Sequence, residues 1–361
     1  MLGLTSIGLV CILALVVGAL LLGVLWNWPR MGGPAQRSLA MRIAALCALN
    51  ASTLGLIFVT VNRTNGFYSS WSDLLGRYRG GGTIEALRTG PARPGALVTV
   101  RGQTPVIAAD SSIEAGYLQS VTIHGQLSGL VRVGQVYLPP GYLHPPGAAD
   151  QRRYPVLVAV TGASRGGSSP YSAPRLASTL AAEISAGRLP PLIAVILAVA
   201  QGPDRSCLNV PGGQQAALFY SQDLPTAIGS AYRAQPGAWA LLGDQAGGYC
   251  ALQLALTSAG QFTVAAIPPG SYQAPPTAPG PSPWGASLPL REQNDLTWLL
   301  GHQPMQPVSV LFDGPAGPGR ARQIMTLARP PMSASFVRDG GGASPLTPVL
   351  ARIGRLLGSG G

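Results

Sequence analysis

Residues 2 to 26, LGLTSIGLVCILALVVGALLLGVLW, run for 25 positions without a charge. A bilayer core takes about 20 apolar residues as a helix, so this run is long enough to span one. In lipid a single segment meets its own backbone hydrogen-bonding needs only as a helix, which leaves the chain little choice here. A cleaved secretory signal is the competing reading. It would bring a positively charged start and a small-residue cleavage site, and neither is evident in these residues. A second run, Ile43 to Val61, carries only mild polarity at Asn50, Ser52, Thr53 and Thr60. The two runs and their short loop predict a transmembrane hairpin over residues 1–64, with membrane lipid as its partner. Trp26, Trp28, Phe67, Tyr68 and Trp71 lie near the ends, where aromatic rings favour the interface.

Arginines set the expected orientation. Arg30, Arg37 and Arg42 between the runs argue for a cytoplasmic loop, while Arg63, Arg77 and Arg79 after the second run nearly balance them. The expectation is a cell-membrane protein with both ends outside and an extracytoplasmic globular domain. Only 10% of the residues are charged, against about a quarter in soluble proteins, so part of the deficit belongs to the membrane segment. The net charge of +11 comes wholly from arginine, with no lysine in the chain. These arginines are scattered, without the basic stripe or aromatic interleaving of a nucleic-acid surface, and no nucleic-acid partner is expected. Cys11 and Cys47 fall in the apolar runs. Cys207 and Cys250 belong to the globular part and would pair only outside the cytoplasm; their spacing leaves the question open.

Residues 65–95 read as a connector, punctuated by Gly80-Gly81-Gly82 and TGPARPG. From residue 96 to 361 the pattern is that of one α/β domain. ALVTVRG, SVTIHGQL and LVRVGQVYLPPGY alternate as strands. PVLVAVTG then reads as a buried strand, and PLIAVILAVA, AWALLG, FTVAAIPPG, VSVLFDG and SASFVRDG as further strands. Between and after them, RLASTLAAEISAG, SQDLPTAIGSAYRA, AGGYCALQLAL, RARQIMTLA and PLTPVLARIGRLLG read as helices. Strands alternating with helices imply a mostly parallel sheet covered on both faces.

Five stretches in order resemble the Putative esterase family, which contains esterase D and secreted mycolyltransferases. VGQVYLPPGY followed by RYPVLVAVTG resembles the strand pair before the family's oxyanion loop. SCLNVPGGQQ resembles the next loop, QDLPTAIGSAYRA the helix before the nucleophile, and LLGDQAGGYCALQLAL the nucleophile elbow. SFVRDGGGASPLTPVLARIGRLLG resembles the last strand, histidine loop and final helix. The resemblance covers roughly residues 130 to 358. It implies the α/β-hydrolase fold, with the transmembrane hairpin as an addition outside it.

It also implies where a catalytic triad belongs. Such enzymes present a serine in the frame G-x-S-x-G, followed along the chain by an acid and then a histidine. Here the frame is Gly243-Asp244-Gln245-Ala246-Gly247. A carboxamide at Gln245 is no nucleophile, because its nitrogen lone pair is delocalised into the carbonyl. The acid position falls on Asp313, with Asp339 second, and the base position on Ala343, which cannot accept a proton. The oxyanion loop reads Thr161-Gly162-Ala163; its donors and the Ala246 N–H need no side chain.

His124, His144 and His302 all precede the acid, so the usual order cannot be completed. Ser164, Ser168 and Ser169 share a loop after the first central strand but lack the elbow that exposes a nucleophile; loop serines more often form turns and caps. GASRGG is too short for a phosphate loop and lacks its lysine. No cluster has metal-ligand spacing, and no cofactor is expected. The residues thus favour a membrane-tethered, non-catalytic hydrolase homologue that binds or scaffolds an envelope acyl or glycan component, or a protein. The alternative is an active serine esterase or acyltransferase with a rearranged site, and a third reading is a structural membrane subunit with no cleft beside Gln245.

Overall fold

The computed structural model describes residues 7–27, 36–65, 96–107, 114–143, 152–161, 169–198, 207–244, 246–258, 260–267, 287–313, 319–337 and 346–358. They fall into two compact units, one holding the N-terminal helices and the other the sheet. The connector expected over 65–95 lies, beyond Asn65, outside the described residues.

In the first unit α1 (Ile7–Asn27) packs against α2 (Gln36–Asn65). Both are long and apolar enough to cross a bilayer, with mean hydropathy of 2.9 over Gly8–Trp26 and 1.9 over Ile43–Thr60. Leu15, Leu22, Leu25, Trp26 and Leu54 are exposed within this unit. The polar residues of the second run are satisfied locally. Asn50, Thr53 and Thr60 donate to the carbonyls of Leu46, Leu49 and Leu56, one turn back in the same helix, the usual way such side chains sit in a helix. One expectation needs correction. Arg37 and Arg42 belong to the first turns of α2 and not to the loop, because QRSLAMR contains nothing that stops a helix.

The second unit is built on one nine-stranded sheet of order β1-β2-β3-β5-β4-β6-β7-β8-β9. Its strands are β1 (Val98–Ile107), β2 (Glu114–His124), β3 (Val131–Leu138), β4 (Tyr154–Thr161), β5 (Ile193–Ala198), β6 (Ala234–Gly243), β7 (Val264–Ile267), β8 (Ser309–Asp313) and β9 (Ser333–Val337). β1, β2 and β3 form an antiparallel meander whose last strand joins β5 antiparallel. From β5 to β9 every pairing is parallel. The expected meander feeding a mostly parallel sheet is therefore present.

Side chains leave a strand alternately on its two faces, and β4 shows what this does. Val156, Val158 and Val160 enter one core layer and Leu157 and Ala159 the other. The helices divide accordingly. α3 (Ala173–Ser185) and the C-terminal helix Thr347–Gly358 cover the second layer through Leu176, Leu180, Val349, Leu350 and Ile353. The helix Ala246–Thr257 covers the first through Tyr249, Leu252 and Leu254. Burial on both faces explains why the central strands read as continuous apolar runs. Glu183 on α3 accepts hydrogen bonds from Arg188 and from Thr347 at the start of the C-terminal helix, joining the two helices. The Arg188 and Thr347 bonds outweigh burial and hold its carboxyl below the usual range.

The helices Leu288–Glu292 and Leu296–His302 were not foreseen, and neither was the short Ala216–Leu218. Leu296–His302 starts at Asp295, whose carboxylate accepts from the Thr297 and Trp298 N–H groups, an N-cap.

Candidate active site

The expected elbow is present in its backbone. β6 ends at Gly243 and the helix begins at Ala246, so only Asp244 and position 245 connect them. The Asp244 N–H donates to the Val160 carbonyl of β4 at 3.1 Å, and the Gly247 N–H to the Asp244 carbonyl at 2.8 Å. These bonds turn the chain sharply from strand into helix while its first turn lies against β4.

Sterics explain the two glycines. A Cβ on Gly243 would stand 2.2 Å from the Gly247 carbonyl oxygen, and one on Gly247 would stand 1.8 Å from that of Val160. Each neighbour is backbone, which cannot swing aside. The G-x-x-x-G frame is thus a packing requirement of the elbow, separate from whichever side chain sits at its apex.

Parallel pairing brings the strand ends that precede the other site positions to the same edge. Gly243 pairs with Val160 of β4, Ala266 with Leu242, Phe312 with Ile267, and Val337 with Asp313. The chain leaves β4 towards 162–163, β6 towards 245 and β9 towards 343 at this C-terminal edge, the side where ligands bind in open α/β sheets. Asp313 is the last residue of β8; with strands about 4.8 Å apart, β8 lies roughly 10 Å from the elbow strand. Gln245, Gly162, Ala163, Ala343 and Asp339 lie outside the described residues, as do the side chains of Asp313 and Ala246.

The histidines take no part in this edge among the described residues. His124 ends β2 as an exposed residue. The His302 ring stacks on Trp298 at 4.6 Å, and its Nδ1 lies 2.9 Å from the Trp298 carbonyl. His144, Ser164 and Ser168 lie outside the described residues, and Ser169 is half-buried. No group of three His, Cys, Asp or Glu residues suited to a metal occurs among the described residues.

A disulfide stands beside the elbow. Cys207 bonds to Cys250 with Cα atoms 5.5 Å apart, tying the loop that precedes Gln215 to the first turns of the elbow helix. This settles the pairing that spacing left open. The buried Asp223 carboxylate accepts from the N–H groups of Leu127 and Ser128 and from the Ser128 hydroxyl. Burial by itself would raise this carboxyl, but the hydrogen bonds prevail and hold it below the usual carboxylate range. Asp223 is therefore a fixed anion that pins the turn before β3, with no proton to exchange near neutrality.

Strand order and the strand-to-helix turn after β6 define an α/β domain on a mostly parallel sheet. Residues 131–311, half of the chain, match the family model described as Putative esterase, and the chain belongs to that family. A search of curated proteins finds no match. Among solved structures, a ferulic acid esterase is similar with a TM-score of 0.51 at 17% identity, over 67% of this chain and 98% of that one. An S-formylglutathione hydrolase from Agrobacterium tumefaciens gives 0.49 at 15% identity, over 72% and 99%. A ferulic acid esterase from Anaeromyces mucronatus gives 0.49 at 15%, over 73% and 99%. At these identities the likeness concerns the fold.

Proposed function

We propose that this chain is a membrane-anchored member of the Putative esterase family that has lost ester chemistry and uses its domain to bind or scaffold components of the cell envelope. The observation that carries the reading is the elbow. Its glycines keep the close approach to β4, while the residue between them is Gln245 and the base position is Ala343. Losing either nucleophile or base is enough to cripple such a site. Losing both, in a frame whose backbone still packs, supports a retained scaffold over a misplaced alignment. The acyl or glycan ligand, or a protein partner, is suggested by family membership alone, a fold-level analogy.

Two features support the anchoring and orientation. The N-terminal helices have the length and hydropathy of spans, and the Cys207–Cys250 bond belongs in an oxidising compartment. An extracytoplasmic domain after two spans puts the intervening connection, with Arg30, on the cytoplasmic side.

The test is direct. The purified chain should neither turn over a short-chain p-nitrophenyl ester nor take up a fluorophosphonate label; labelling of any serine would overturn the reading and favour an active enzyme with a rearranged site. Gln245→Ser combined with Ala343→His should then bring measurable turnover to the folded protein. A folded double variant that stays inert would show that these positions do not face one another.

A further inference from the structure

The C-terminal half of the elbow helix borders a cleft of about 590 Å³, within the size range of small-molecule sites. Gln253 lies seven residues beyond Ala246, about 10 Å along the helix at 1.5 Å per residue. The cleft therefore opens towards the end of the helix away from the elbow. Its walls are unusual for such a site. Small-molecule pockets are mostly apolar, whereas here Gln222, Gln253, Gln293, Asn294, Gln303 and Gln306 converge on one space. Leu218, Leu256 and Leu290 supply apolar patches, and no charged side chain lines it among the described residues.

One of these amides is buried and incomplete. Gln253 is 5% exposed, and its Oε1 has no hydrogen-bond partner. The surrounding bonds fix which way the amide points. Asn294 Nδ2 donates to the Leu290 carbonyl at 2.6 Å, leaving its Oδ1 to accept from Gln253 Nε2 at 2.7 Å. Tyr249 donates its hydroxyl to the Asn294 carbonyl at 2.7 Å; burial, reinforced by the Asp295 charge, pushes that phenol up and keeps it a donor. Turning Gln253 over would set its oxygen against the Asn294 oxygen. The network therefore holds Gln253 Oε1 as an acceptor in need of a donor, and native structures rarely leave such a group unmet.

We infer that this cleft is a binding site for a neutral carbohydrate of about disaccharide size, whose entry shifts the Gln253 amide so that a sugar hydroxyl donates to Oε1, an atom closed to solvent in the free chain. Amide side chains offer donor and acceptor together, matching hydroxyls, which need both. The leucines meet the C–H faces of the rings, and the absence of charge among the described lining residues disfavours ionic ligands. The site is separate from the elbow, so the inference holds whether or not the elbow is catalytic.

The test is calorimetric titration of the full-length chain in a polyoxyethylene detergent, which carries no sugar. The probes are maltose, cellobiose and diacetylchitobiose, with digalacturonate and a neutral glycine–serine peptide for contrast. Saturable binding of at least one neutral disaccharide is expected, weakened about tenfold by Gln253→Leu, as for loss of one ligand hydrogen bond. Gln222→Ala, on the exposed rim, should weaken it several-fold with unchanged melting, and digalacturonate should bind at least about tenfold more weakly. Absence of saturable binding by all three sugars overturns the inference, as does binding insensitive to both substitutions. Binding of the peptide in place of the sugars overturns the carbohydrate assignment.

Discussion

Substituting Gly247 tests whether the elbow is held by its backbone. In Gly247→Ala the new methyl would lie 1.8 Å from the Val160 carbonyl oxygen, against an ordinary contact of about 3.5 Å. The helix must withdraw from β4 by more than about 1 Å, since neither partner is a side chain that can rotate. Withdrawal removes the Asp244 to Val160 hydrogen bond, about 1 kcal/mol, and loosens Tyr249, Ala251 and Leu252, all buried against the sheet. Overpacking of this kind typically costs about 1–3 kcal/mol. The sum is about 2–4 kcal/mol, which lowers the melting temperature of a domain this size by roughly 4–16 °C. Gly229→Ala is the control. Gly229 is exposed on the helix Leu224–Ala231, and nothing lies within 4 Å of a Cβ built there. Helix propensity predicts no loss and a gain of up to about 1 kcal/mol. Thermal unfolding followed by circular dichroism reads both. If Gly247→Ala melted within about 2 °C of the parent, the close approach at the elbow would be wrong, and with it the claim that the frame persists for steric reasons.

The disulfide and the buried carboxylate give further tests. Cys207 and Cys250 enclose a loop with a sequence separation of 43, so Cys207→Ala with Cys250→Ala should lower stability by about 3–4 kcal/mol on the loop-entropy model. Alkylation of the unreduced, denatured chain should modify only Cys11 and Cys47, the free cysteines; four modified thiols would refute the bond. Asp223 titrates lower in the folded chain than in the unfolded one. Its contribution is therefore fully present above the unfolded value of about 4 and is lost as pH falls through the folded value. Denaturation between neutral and acid pH should show Asp223→Asn losing less stability than the parent on acidification. Asp223→Ala should cost about 1–3 kcal/mol near neutrality, because it removes the acceptor of two part-buried N–H donors. A pH dependence identical in parent and variant would remove Asp223 from this role.

Much of the fold was legible because its signals are local. The central strands read correctly, from the β4 stretch PVLVAVTG to the β7 stretch FTVAAIPPG, because burial on both faces makes them apolar throughout. The strand and helix on either side of Asp244 and Gln245 read correctly because AWALLG and AGGYCALQLAL are apolar runs separated at a glycine-flanked turn. Less was legible where neighbours decide. The helix around Asp295 depends on a cap placed by one side chain in a polar stretch with little periodicity. The Cys207–Cys250 bond depends on a loop returning to the elbow helix, which no spacing reveals. The amide cleft gave no motif at all, since its glutamines come from three distant segments.

The order of residues alone determined the two long apolar helices, the α/β alternation and which residues, Gln245 and Ala343, stand where the family resemblance expects serine and histidine, because each is a property of composition or position along the chain. Only the tertiary structure decided why Gly243 and Gly247 persist, that the two cysteines meet, and that Gln253 has a bonded face and an unmet one. Those outcomes turn on distances between groups remote in the chain, which strand pairing and helix packing set and local sequence does not encode.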